Sequence, residues 1–81
     1  MDNITIARIL DETASLLEID SADPFRIRSY RRAAEAVEQQ TTQLATLATP
    51  EADPKGLLSI AGIGKGMAAN IVAIVATGTM P

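Results

Sequence analysis

The chain has 81 residues, with seven basic against ten acidic side chains and a net charge of −3. It contains neither cysteine nor histidine, which excludes disulfides, cysteine-based zinc sites and nucleophiles activated by a histidine base. One domain spanning 1–81 with a small core is expected at this length, and the acidic total weighs against a nucleic-acid partner until its distribution is followed along the chain.

Residues 3–19 are predicted to form a helix. Ile4, Ala7, Leu10, Ala14 and Leu17 recur at steps of three and four, which makes one apolar stripe. Leu16 and Ile19 widen it, as for a helix packed against two neighbours. Asp2 or Asn3 can cap the start, and Asp11, Glu12 and Glu18 fall largely off the stripe. Most of the acid is here: residues 1–23 carry six acids and one base. Asp20-Ser21-Ala22-Asp23 breaks the chain, and Asp23-Pro24 restarts it as an N-cap followed by a first-turn proline.

The second helix is predicted over 24–40. Ile27, Tyr30, Ala34 and Val37 form its inner stripe, with Arg28, Arg31, Arg32, Glu35 and Glu38 mostly outside. Four arginines face two glutamates in this segment. At i,i+4 spacing Arg31–Glu35 attracts and Arg28–Arg32 repels, each by ~0.2–0.5 kcal/mol. A cluster that tolerates such repulsion hints at an anionic partner. Gln43–Ala48 is predicted as a short third helix with Leu44 and Leu47 inward. The prolines of Thr49–Pro54 then impose a loop.

Lys55–Ile60 reads as a short helix that offers Leu57, Leu58 and Ile60 to the core. Ala61-Gly62-Ile63-Gly64 is a tight turn. Met67, Ala68, Ile71, Val72, Ile74 and Val75 continue as an apolar helix from about 64 to 76, ended by Thr77-Gly78, where glycine suits a left-handed cap. Thr79–Pro81 is expected to fray. Residues 54–81 hold two lysines and no acid, so phosphate can approach this surface. Glycine takes positive φ cheaply and lets another backbone come close. The turn feeds a helix N-terminus, where free N–H groups and the helix dipole favour an anion. Ile63 can plug into the core, and Lys65 can add a point charge near the same phosphate. Gly66 and Ala68-Ala69 point to close backbone approach and tight helix crossing. The plainer alternative is that Gly62-Ile63-Gly64 only joins two packed helices. A dinucleotide-binding glycine loop fits poorly, since no strand precedes the turn and no βαβ unit fits the remaining length.

The fold class is therefore all-α, with a short helix, a tight turn and an apolar helix over about 55–76. The core palette agrees: Phe25 and Tyr30 are the only aromatics, leaving Ile, Leu, Val, Ala and Met to pack the interior. No apolar run reaches the ~18 residues that span a bilayer, and no basic-then-apolar leader opens the chain, so no membrane partner and a soluble, cytoplasmic protein are expected.

Leu57-Leu58-Ser59-Ile60-Ala61-Gly62-Ile63-Gly64-Lys65-Gly66-Met67-Ala68 resembles a helix–hairpin–helix motif. Pro24-Phe25-Arg26-Ile27-Arg28-Ser29-Tyr30-Arg31-Arg32-Ala33-Ala34 resembles the second helix of the N-terminal domain of family X DNA polymerases, the DNA polymerase beta type and especially its bacterial members. Leu16-Leu17-Glu18-Ile19 and Ala76-Thr77-Gly78 fit the same family, so the resemblance covers nearly the whole chain in order. It implies a compact four-helix domain that contains a helix–hairpin–helix at about 55–76, and sequence-independent binding to the DNA backbone at gapped, nicked or 5′-phosphate ends, in DNA repair. The implied DNA-binding residues are Gly62, Ile63, Gly64, Lys65 and Gly66 of the hairpin, with Arg26, Arg28 and Tyr30. It also implies a monovalent cation, Na or K, held by the carbonyls of Leu58, Ile60 and Ile63. The partners implied are DNA and either further polymerase domains or a protein partner.

Some members of that family act as deoxyribose-phosphate lyases through a lysine Schiff base. The resemblance puts the nucleophile's position at Asn70, and a second, phosphate-holding lysine at Gly66. Lys55 and Lys65 are the only lysines left. No lyase is expected, and with no two-metal carboxylate site no polymerase activity in this chain either. The alternative function is a protein-interaction or structural module of the same fold with little DNA affinity, favoured by the acidic first helix.

Overall fold

The structure, a computed structural model, describes residues 1–80. Pro81, part of the tail expected to fray, lies outside the described residues. Four α-helices follow one another: α1 (Asn3–Ile19), α2 (Pro24–Glu38), α3 (Lys55–Leu58) and α4 (Lys65–Thr77), with a single 3-10 turn at Leu44–Thr46 between α2 and α3. No strand occurs among the described residues.

The first two helices start where their aspartates stand. Asp2 accepts the Thr5 N–H at 2.8 Å and Asp23 accepts the Phe25 N–H at 2.9 Å, each filling one donor that a helix start leaves open. The bond from Thr5 holds the Asp2 carboxyl below its ordinary pKa. Pro24 supplies the fixed φ of the first turn of α2. At the far end, Gly78 closes α4 in the left-handed conformation at φ 81°, and its N–H returns to the Ile74 carbonyl at 2.7 Å.

α1 and α2 run antiparallel and form the main helix pair. Small buried residues, Ala7 and Ala14 on one helix and Ala33 and Ala34 on the other, bring them close. Asn3 stitches one end. Its amide donates to the Gln40 and Thr42 carbonyls at 3.3 and 2.8 Å, and its Oδ1 accepts the Leu44 N–H at 2.8 Å. Arg31 stitches the other end. Its guanidinium donates to Glu18 at 2.9 Å, to Ser15 Oγ at 3.2 Å, and to Asp11 Oδ1 at 3.3 Å. The Glu18 bond, then the Asp11 bond, push the Arg31 pKa up. The core, Ile6, Leu10, Val37, Leu44, Leu57, Ile71 and Ile74, collects residues from every element, so α3 and α4 close the open side of the α1–α2 pair.

Several sequence expectations are corrected. The α1 stripe begins at Asn3 and Ile6, not at Ile4, which is 73% exposed. A buried amide with three backbone partners outcompetes the more hydrophobic neighbour for the inward position. Leu16 and Ile19 are exposed rather than packed against a second neighbour. Arg31 reaches across to α1 and not along its own helix to Glu35. The third helix shrinks to the 3-10 turn, with Leu44 buried and Leu47 half-buried. α2 ends at Glu38 and α3 at Leu58, each two residues short of the expected end.

Candidate functional site

The segment between α3 and α4 is a hairpin whose conformation follows from its glycines. Gly62 has φ +96°, and a Cβ built on it would stand 3.2 Å from Arg32 Cγ and 3.5 Å from the Arg32 carbonyl oxygen. It satisfies both needs for glycine, the left-handed backbone and the close approach, here to α2. Ile63 is buried and its N–H returns to the Ile60 carbonyl at 3.1 Å, which pins the turn to the core. Gly64 is extended and becomes the N-cap of α4, where its carbonyl accepts the Ala68 N–H at 2.8 Å.

This helix start differs from those of α1 and α2, and shares with the four-residue α3 the lack of a side-chain cap from its N-cap residue. No side chain caps α4. The N–H groups of Gly62, Gly64, Lys65, Gly66 and Met67 have no backbone acceptor among the described residues. Gly64 and Gly66 are exposed, and a Cβ at either would meet nothing within 4 Å. Gly62 makes the close approach within the protein, and Gly66 faces open space. Uncapped N–H groups at the start of a 13-residue helix form a positive, donor-rich surface.

Two depressions flank the turn, and Arg32 borders both. One is lined by Ser29, Arg32, Leu58, Ile60, Gly62, Ile63 and Gly64 among others. The other adds Glu35, Gln39 and Gln40 beside Arg32 and Gly62. Lys65 stands on a different side, at the rim of an apolar groove with Leu47, Pro54, Leu57 and Val72. Leu58, Ile60 and Ile63, expected to offer carbonyls to a cation, all line the first depression. The Leu58 and Ile63 carbonyls accept no backbone N–H, and that of Ile60 accepts only Ile63. Each keeps a free lone pair, and neutral oxygens of this kind suit a hard monovalent cation. No group of three or more carboxylate, histidine or cysteine side chains is placed to hold a metal among the described residues.

Arg26 and Arg28 are exposed on the first turns of α2 and line neither depression. Arg28 lies over the Phe25 ring, 5.2 Å from its centroid, and the ring is 72% exposed. Tyr30 is buried, and its hydroxyl accepts from Asn70 Nδ2 at 3.2 Å, so Asn70 ties α4 to α2. Sequence reasoning left Phe25, Ser29 and Arg32 out of the site. Their signal was present: Phe25, Arg28, Ser29 and Arg32 are spaced by three and four, hence on one face of α2. That strip runs from the helix start to the hairpin.

No helix among the described residues is long and apolar enough to cross a membrane. A family model described as a helix-hairpin-helix domain matches residues 1–80. The chain is also similar to the DNA polymerase/3′-5′ exonuclease PolX of Bacillus subtilis (strain 168), with 33% identity over 61 residues. That alignment covers 75% of this chain and 10% of the relative, so the chain spans only a small part of that protein's length.

Proposed function

The chain belongs to the helix-hairpin-helix domain family, and from that premise we propose that it binds DNA through the phosphate backbone, without reading sequence, at gapped, nicked or 5′-phosphate ends. One observation carries this reading. α1 and α2 are each capped by an aspartate, while α4 starts at Gly64 with no side-chain cap and a run of unpartnered N–H groups. A phosphate oxygen is the acceptor such a start lacks. The exposed glycines leave room for a strand, and Lys65 adds charge in the first helical turn. The relative named for DNA polymerase and exonuclease activity supports the choice of DNA over other phosphates.

Arg26 and Arg28 extend the positive surface along α2, and Tyr30 fixes α2 against α4 there. Phe25 offers an exposed aromatic face to an unpaired base, which favours gaps and ends over intact duplex. The carbonyls of Leu58, Ile60 and Ile63 would hold the monovalent cation, which would bring positive charge beside the bound phosphate. The role includes no chemistry of its own. Asn70 presents an amide, which cannot form a Schiff base, and Lys55 and Lys65 are both exposed and stand on other parts of the surface. Borohydride trapping on 5′-incised abasic DNA is expected to give no lysine-dependent adduct; a strong adduct would overturn this part of the reading.

Titration against duplex, nicked and 5′-phosphorylated gapped DNA over a salt series tests the proposal. Binding of roughly micromolar strength or weaker, falling steeply with salt, is expected. Lys65→Glu and Gly64→Val are each expected to weaken it with the fold intact. A second reading, a protein-docking module, draws on the acidic α1 with Ile4, Leu16 and Ile19 exposed on it. Sedimentation that shows a stable dimer, together with no DNA binding at low salt, would favour that reading instead.

A further inference from the structure

Resting on the proposed DNA binding, we infer that Arg32 is the side chain that holds the phosphate next to the one at the hairpin N–H groups. The arginine pair at 31 and 32 looks interchangeable in sequence and is divided in the fold. Arg31 is committed to Glu18, Ser15 and Asp11 of α1. Arg32 is exposed, makes no ion pair within 4 Å among the described residues, and borders both depressions beside the turn. Arg26, Arg28 and Lys65 line neither.

The position of Arg32 is set by the hairpin itself. Gly62 has no side chain, so the turn lies against the Arg32 stem, with a hypothetical Cβ only 3.2 Å from Cγ. The stem is thereby confined, and the guanidinium is confined with it to the edge of the hairpin. Less rotamer freedom then remains to lose when a phosphate arrives. A guanidinium can grip a phosphate with two parallel N–H bonds, which a lysine cannot copy. Ser29 lies three residues back on the same face and lines the same depression, with a hydroxyl that already donates to the Phe25 carbonyl and keeps its lone pairs for water or a ligand N–H. Glu35, three residues further along α2, lines the second depression with Arg32 and is the opposing charge there. Its carboxylate accepts from Gln39 Nε2 at 3.4 Å and makes no ion pair with Arg32 within 4 Å. The strand therefore enters on the Ser29 side, away from Glu35.

The test compares Arg32→Gln, Arg32→Lys, Arg26→Gln and Gly64→Val on 5′-phosphorylated gapped DNA, by fluorescence anisotropy over a salt series. Arg32→Gln is expected to weaken binding about tenfold at low salt and to flatten the slope of log K against log salt by about 0.9, one phosphate contact. Arg32→Lys should keep the slope and lose part of the affinity. Arg26→Gln should change the slope less than Arg32→Gln. A wild-type slope in Arg32→Gln, with binding lost in Gly64→Val, overturns the Arg32 assignment and leaves the hairpin reading standing. Wild-type binding in both overturns both. Because Arg32 is exposed, circular dichroism melts of its variants should match wild type.

Discussion

Gly62 cannot become alanine without two separate costs. Its φ of +96° is strained for any residue with a Cβ, and that Cβ would press on the Arg32 stem and backbone. Gly62→Ala should lower stability by about 2 kcal/mol and drop the melting temperature by roughly 10 °C. Asn3 is the second sensitive position. Asn3→Ala would strand the Leu44 N–H and two carbonyls, and a loss of about 2–3 kcal/mol is expected in chemical denaturation. Asp2 contributes through its charge. Its pKa is lower folded than unfolded, so its share of stability is complete above the ordinary aspartate range and is lost as pH falls through the folded value. Melts between neutral and acid pH should show this in wild type and lose it in Asp2→Asn, which still caps. Asp2 and Gly78 are legible from local spacing because a cap acts on its own helix. Asn3 and Arg31 are not, since their partners lie about 40 and 13 to 20 residues away and only folding brings them together.

At the scale of elements, α4 is the helix whose start is left for another molecule. Gly66 sits in its first turn facing open space, where alanine would favour the helix. Gly66→Ala should therefore raise stability by up to about 1 kcal/mol while it weakens DNA binding. A melt and an anisotropy titration on the same sample would show the two moving in opposite directions. The longer helices were readable because stop and start signals bracket them: Asp23-Pro24 before α2 and Thr77-Gly78 after α4. The pieces between were not. Two prolines and small residues set no period over 41–54, and the single 3-10 turn is fixed there by Asn3 accepting the Leu44 N–H. The hairpin was readable as a turn, but its neighbour was not: the contact of Gly62 with Arg32 depends on how α2 crosses the turn.

The whole molecule is small, with a radius of gyration of 11.7 Å, and one cluster of aliphatic side chains reaches every element. Its total stability should be only ~3–5 kcal/mol. Leu10→Ala, which costs ~2–5 kcal/mol at a fully buried site, should leave much of the population unfolded at physiological temperature, measurable by circular dichroism. Charge is divided across the body: acid concentrates on α1 and the residues flanking it, and the free arginines and lysines lie on α2, α3 and α4. The negative total would repel a polyanion, but the division orients the approach, with α1 turned away. The missing cap on α4 has one more consequence. Amides without an acceptor exchange their protons with solvent quickly, whereas the Thr5 and Phe25 amides, held by aspartates, exchange more slowly. The amides of Gly62, Gly64, Lys65, Gly66 and Met67 thus form a built-in deuterium-labelling reporter, fast in the free protein and slowed only when an acceptor docks on them.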